Sequence, residues 1–151
     1  MTLSLRLVRA DEAPRVLDFL RGMHAEVGRA PLVDAKATAA IAEVAKTGAA
    51  YIVEDDGEIV GSIGVTMFDF WYADATFLGE LWLYVDPEYR ASGEVLAMML
   101  EEVREIADLA GQSVFLDHYR KPRGGAGLAI VADRLGFEPV SRILELSPGG
   151  R

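Results

Sequence analysis

The sequence predicts an α/β domain, a mixed central sheet of about six strands flanked by about four helices. Three observations predict it. Segments that alternate apolar and polar residues take turns with segments of helical apolar spacing, in the order βααβββαβαβ. A tight-turn signal, Asp55-Asp56-Gly57, sits between two strand-like runs in the middle of the chain. A strand over Glu80–Val85 is broken by Asp86-Pro87 and followed, after a loop holding Arg90 and Gly93, by a long amphipathic segment.

Taken in order, Leu3, Leu5 and Leu7 alternate with Ser4 and Arg6, which predicts a first strand over residues 2–8. Asp11 is placed to cap the next helix, with Pro14 in its first turn. Val16, Leu17, Leu20, Met23 and Val27 mark that helix's buried stripe, which ends near Gly28. A second helix starts at Asp34, turns Ala37, Ile41, Val44 and Ala45 inward, and stops at Gly48. Residues 50–54 and the run from Ile59 form the hairpin. In the central strand, Leu81, Leu83 and Val85 alternate against Glu80, Trp82 and Tyr84, so Glu80 is expected on the face of Trp82 and Tyr84. Val95, Leu96, Met99, Leu100, Val103, Ile106 and Ala107 give the third helix its apolar stripe. Ser113–Asp117 reads as a short strand, residues from about Leu128 to Leu135 as a helix, and Glu138–Leu146 as a last strand. The domain spans residues 1–146, and 147–151 is a tail.

Bulk properties narrow the function. The chain has 151 residues, 51% of them apolar and 26% charged, which suits one globular domain with a proper core. No apolar run is long enough to cross a bilayer. Met1-Thr-Leu-Ser-Leu-Arg-Leu lacks the charged start and apolar block of a signal peptide, so a cytoplasmic location is expected. With no cysteine, thiolate metal sites and cysteine nucleophiles are excluded. His24 and His118 have no ligand spacing that implies a metal. The net charge of −9 argues against nucleic-acid binding and is compatible with a cationic amine as substrate, as well as with simple solubility.

A strand, a tight loop with glycine and arginine, and then a helix can hold a phosphate. The first turn of a helix leaves backbone N–H groups without partners, and the dipole favours an anion there. The string Val85-Asp-Pro-Glu-Tyr-Arg-Ala-Ser-Gly93 resembles the acetyl-CoA motif of the GNAT superfamily of N-acetyltransferases. Ala132-Asp-Arg-Leu-Gly-Phe-Glu-Pro-Val140 is similar to a second landmark of that family, a helix ending in Leu-Gly-Phe before the last strand. The resemblance implies the GNAT acyl-CoA N-acyltransferase fold, with acetyl-CoA as acyl donor and a small-molecule or peptide amine as acceptor. It also implies that the central strand splays from its neighbour and that the pantetheine arm pairs there with backbone groups of Leu83, Tyr84 and Val85. Arg90, Ala91, Ser92, Gly93, Glu94 and Val95 would then form the phosphate loop. A homodimer is compatible with the resemblance.

Transfer to an amine requires a polarised carbonyl, a deprotonated amine and a stabilised thiolate. A backbone N–H can serve the carbonyl, and Glu80 is the candidate base. Trp71, Tyr72 and Trp82 are candidate acceptor-binding residues, with core packing the other reading for the first two. His24 and Glu26 end the first helix, either at the acceptor mouth or, for His24, against the helix dipole. Arg120, Lys121 and Arg123 either meet cofactor phosphates or lie in a solvated loop. The family's usual acid, a tyrosine four residues before the glycine of Leu-Gly-Phe, falls here on Ala132. Tyr119, His118 or water is then left to protonate the thiolate. Glu94 and Val95 also depart from the family's loop. These departures keep a second reading open, a catalytically weak or inactive GNAT-fold domain that binds CoA or a protein.

Overall fold

The computed structural model describes residues 2–117, 125–140 and 148. Its sheet runs in spatial order β1 (Leu3–Leu7), β2 (Ala50–Asp55), β3 (Glu58–Asp69), β4 (Thr76–Val85) and β5 (Val114–Phe115). The first three pairings are antiparallel, and β4 pairs with β5 in parallel. The helices are α1 (Ala13–Val27), α2 (Asp34–Lys46), α3 (Glu94–Ala110) and α4 (Gly125–Arg134). Among the described residues the strands therefore number five rather than about six. Residues 138–140 carry no strand, and the rest of the expected last strand lies outside the described residues, as does the tail apart from residue 148.

The sheet is covered on both faces, and β2 shows how. Ala50 and Ile52 pack with Val16, Leu20, Ile41 and Val44 of α1 and α2, while Tyr51 and Val53 join Val95, Met99, Leu100 and Val103 of α3. A period of two in a strand buried on both sides sends alternate residues to two different helix layers. The β2–β3 turn is the expected tight one, with Asp56 at φ 49° and Gly57 at φ 87°, the left-handed pair of a type I′ hairpin.

The start of α1 differs from expectation. Asp11 makes no cap; it faces Arg9 at 3.3 Å. A short 3₁₀ turn, Ala10–Glu12, precedes the helix, and the buried Glu12 accepts from the Arg9 N–H at 3.1 Å. Glu12 also pairs with Arg6 at 2.8 Å, and Arg6 pairs with Glu54 at 2.7 Å. The Arg6 guanidinium holds the Glu12 carboxyl down at about 2. An ion network between β1, β2 and the helix start has displaced a local cap.

The decisive irregularity is in β4, which begins at Thr76, four residues before the alternation suggested. Gly64 of β3 pairs with Trp82, but the next β3 residue, Val65, pairs with Glu80, so Leu81 is an extra, bulged residue. Leu81 is accordingly half exposed, whereas Trp82 is a core residue. Its indole N–H donates to Ser62 Oγ at 2.9 Å, and Ser62 in turn donates to the Tyr51 carbonyl at 2.9 Å. Gly64 makes this possible, since a Cβ there would meet the six-membered ring of Trp82. Trp82, expected among the acceptor-binding residues, is thus committed to the core beneath α1 and α2.

Among the described residues no helix is long and apolar enough to cross a membrane, and no three His, Asp or Glu side chains gather to hold a metal. Gly64→Ala should destabilise the protein by about 1–3 kcal/mol through overpacking against Trp82. Urea unfolding checks this, and an unchanged midpoint would contradict the packing described.

Candidate functional site

The candidate site lies where, among the described residues, β4 parts from β5. Their parallel pairing stops at Gly79 opposite Phe115, so among the described residues the β4 edge beyond it carries no strand. Which backbone groups face that edge follows from two hydrogen bonds. The Asp86 N–H points to β3, donating to the Val60 carbonyl at 2.9 Å. The Val85 carbonyl, in the same peptide, must point the other way, and it accepts from Arg90 Nε at 2.9 Å. Val85 and Leu83 therefore direct their backbone groups to the open edge, and Tyr84 directs its own to β3. The expected role of Tyr84 as an edge-pairing residue is corrected by this alternation.

The Leu81 bulge also relocates Glu80. Val65 and Ile63 lie on the α3 face, and Glu80, paired with Val65, lies there too, opposite the face of Trp82 and Tyr84. This overturns the face assignment made from simple alternation. Glu80 Oε1 accepts from the Asp117 N–H at 3.2 Å. The residue as a whole is only partly buried, but its Oε2 is shielded from solvent and has no partner among the described residues. Burial, helped by the nearby Asp117 carboxylate, pushes the Glu80 carboxyl up to about 8.

At the far end of the β4 edge stands the loop into α3. Pro87–Tyr89 makes a 3₁₀ turn, opened by Asp86 accepting from the Glu88 N–H at 2.9 Å. Gly93, at φ 71°, turns the chain so that α3 starts at Glu94. Ser92 Oγ accepts from the Glu94 N–H at 3.3 Å. Ala91 and Ser92 are exposed, as is Glu94 in the first turn. The Val95 side chain does not crowd this surface. It is 1% exposed and turned into the core, where a Cβ on Gly61 would lie 2.5 Å from its Cγ1. Gly61 makes room for the branched side chain, and only the Val95 backbone can serve an anion here.

Arg90 is held from several sides. Its Nη2 meets both carboxylate oxygens of Glu26 at 2.9 Å, and its guanidinium lies 5.2 Å from the centre of the Tyr84 ring. The Tyr84 hydroxyl donates to Glu26 at 3.2 Å, and burial with that carboxylate pushes the phenol up. Glu26 thus ties the end of α1 to the loop before α3, a pairing 64 residues apart that sequence spacing gives no signal for. His24 Nε2 bonds to the Ala30 carbonyl at 2.6 Å and so anchors the segment after α1.

The remaining candidates are scattered or undescribed. Trp71 and Tyr72 sit at the tip of the β3–β4 hairpin, 93% and 68% exposed, in edge-to-face contact at 5.5 Å. Ala132 lies in α4, packed toward the α3 core, and offers no hydroxyl. Tyr119, His118, Arg120, Lys121 and Arg123 lie outside the described residues.

Comparison with known proteins follows from this geometry. The model of the acetyltransferase (GNAT) family matches residues 16–120. A predicted acetyltransferase from Clostridium acetobutylicum, solved with acetyl-CoA, superposes with a TM-score of 0.74 at 16% identity, covering 97% of this chain and 96% of its own. An aminoglycoside acetyltransferase from an uncultured soil metagenomic sample, solved with sisomicin, gives 0.69 at 13% identity, covering 97% of each chain. A Trypanosoma brucei acetyltransferase gives 0.68 at 22% identity, covering 97% of this chain and 100% of its own. Among curated protein sequences none matches the chain.

The Glu80 carboxyl makes a pH test possible. Unfolded, it ionises near 4.5; folded, it stays protonated to about 8. Wild-type stability should therefore fall relative to Glu80→Gln as pH rises from about 4.5 to 8, then run parallel. Thermal or urea midpoints at pH 5, 7 and 9 measure it, and a constant offset would show that the carboxylate is not desolvated.

Proposed function

The chain belongs to the acetyltransferase (GNAT) family, and we propose that it is an acetyl-CoA-dependent N-acetyltransferase that acylates an amine by direct attack in a ternary complex. One observation carries the reading. The β4 edge, open among the described residues, presents Leu83 and Val85 backbone groups and leads straight to Arg90 and the N-terminus of α3. An extended amide-bearing arm suits the first, and a diphosphate suits the second. The neighbour solved with acetyl-CoA supports the fit.

Acetyl-CoA supplies an acyl group activated as a thioester. Glu80, beside the point where β4 and β5 part, takes the first proton from the acceptor ammonium, directly or through water. A backbone N–H on the β4 edge polarises the acyl carbonyl. As the amine nitrogen bonds to the acyl carbon and the C–S bond breaks, the second amine proton passes to the departing thiolate. Tyr119 is the candidate to relay it, since Ala132 cannot. The acceptor is a small molecule or peptide carrying a primary amine, in keeping with the net charge of −9 and with the aminoglycoside-bound neighbour. A cytoplasmic enzyme without a metal, acting on amines rather than nucleic acid, is the consistent whole.

A second reading rests on the Glu26–Arg90 pair. With Arg90 already holding a carboxylate and Glu94 in the first turn of α3, a weak CoA-binding or protein-interaction domain is the alternative. Calorimetric titration with acetyl-CoA, beside desulfo-CoA and ATP, separates the two. Specific acetyl-CoA binding followed by thiol release with an amine panel is expected, whereas no response to any CoA species would favour the alternative. Glu80→Gln should lower kcat about a hundredfold or more and abolish a rise in rate as pH passes about 8, where Glu80 ionises. Glu26→Gln should tighten acetyl-CoA binding by removing the carboxylate charge that competes with the diphosphate beside Arg90; weaker binding would mean that Glu26 positions the arginine instead.

A further inference from the structure

The loop between β4 and α3 must keep its shape while a diphosphate competes with Glu26 for Arg90, and a second carboxylate holds it. Tyr89 ends the 3₁₀ turn Pro87–Tyr89, one residue before Arg90. Its ring is half-buried against the cluster that contains Val85, Val95 and Met99, on the α3 side of the sheet. Its hydroxyl donates to Asp55 Oδ2 at 2.6 Å, a contact between residues 34 apart in the chain. That length is typical of an O–H donor on an ionised carboxylate. The bond to Asp55 pushes the Tyr89 phenol up to about 12.

Asp55 is itself fixed. It closes β2, paired with Leu3 of β1 and with Glu58 of β3, at the mouth of the Asp56-Gly57 turn. Its other oxygen, Oδ1, accepts from the Thr2 N–H at 3.0 Å, so both carboxylate oxygens are engaged. The loop is therefore held from both faces of the sheet. Glu26, which also accepts from Tyr84, grips Arg90 from the α1 side, and Asp55 grips Tyr89 from the α3 side. The two acids differ in what they hold. Arg90 is the charge that a diphosphate seeks, so Glu26 competes with it. Tyr89 is neutral and offers a diphosphate no charge, so the donor has no cause to break the bond to Asp55.

We propose that Asp55 is a positioning residue for the donor: through Tyr89 it holds the turn from Arg90 to Glu94 in the shape whose backbone N–H groups receive a diphosphate. Asp55 touches no substrate atom. It acts by pre-organisation, which shows in donor affinity rather than in the chemical step. The inference rests on the acetyl-CoA reading for the identity of the donor. It also gives the two acids opposite effects. Neutralising a carboxylate near an anion site favours the anion on charge alone, as expected for Glu26. Neutralising Asp55 weakens the donor instead.

Calorimetric titration with acetyl-CoA tests this on Tyr89→Phe, Asp55→Ala, their double variant and Asp56→Asn. The last removes the neighbouring charge of the same turn with a residue that tolerates its left-handed φ of 49°. Tyr89→Phe keeps the ring and every charge, so it remains informative if Asp55→Ala folds poorly. Each of these two variants should raise the dissociation constant about fivefold or more, and the double variant no further than the worse of them. Asp56→Asn should not weaken binding. With an amine acceptor, KM for acetyl-CoA should rise in step while kcat at saturating donor stays within about twofold. Unchanged binding by Tyr89→Phe, tighter binding by Asp55→Ala, or effects that add in the double variant would each overturn the proposal. Hydrogen exchange in the free protein separates it from the donor reading. The Tyr89, Arg90 and Gly93 N–H groups are bonded within the loop, to the carbonyls of Asp86, Pro87 and Arg90. Tyr89→Phe should speed their exchange about threefold or more and leave the amides of α1 unchanged. Equal rates would overturn the proposal. Faster exchange in a protein that binds no CoA species leaves the Asp55 hold standing and removes the acetyl-CoA reading. Acetyl-CoA bound equally by all the variants does the reverse.

Discussion

The extra residue Leu81 in β4 is the constraint on which the rest of the site depends. One unpaired residue shifts the two-residue alternation, so everything before it faces the opposite way from what the residues after it would suggest. Glu80 moves to the α3 face and into a desolvated position beside Asp117, while Trp82 and Tyr84 remain under α1 and α2. The same shift changes which backbone groups point away from β3. Leu78 donates to Ser113 on the β5 side, an even-numbered position, yet beyond the bulge it is Leu83 and Val85 that face that side. A regular strand could not both pair with β5 at its start and offer these groups at its open end.

Two glycines in β3 let the core accept what β4 and α3 send into it. Gly64 leaves space for the Trp82 indole and Gly61 for Val95, one on each face of the sheet. With these side chains absorbed, the loop between β4 and α3 keeps a surface of small residues, Ala91, Ser92 and Gly93, at a helix N-terminus. The valine that departs from the family's loop is thereby a packing residue, compensated across the sheet rather than within its own motif.

Electrostatics divides the molecule. Arginines concentrate at the β1–α1 end, where Arg6 and Arg15 neutralise Glu12 and Glu54, and Arg90 is drawn to Glu26. The β3–β4 hairpin carries acids and no lysine, arginine or histidine.

Local chemistry sufficed for much of this in the sequence alone. The Asp56-Gly57 turn, the stripes of α1 to α3, the Pro87 break and the Arg90–Gly93 loop are written in residues close together in the chain, where backbone conformation and period are set by neighbours. Glu80 could be singled out as a carboxylate entering the central strand, but its face, its burial and its displaced ionisation could not. Those depend on Leu81 being skipped by a partner strand, and register is a property of two segments, not one. For the same reason the Glu26–Arg90 pair, the Gly61–Val95 and Gly64–Trp82 contacts, and the replacement of an Asp11 cap by the Arg6–Glu12 pair were decided only when distant segments met. The sequence determined which residues form each element; the tertiary structure decided which way the residues around the bulge face, because one bulged residue is invisible to periodicity and reverses its outcome.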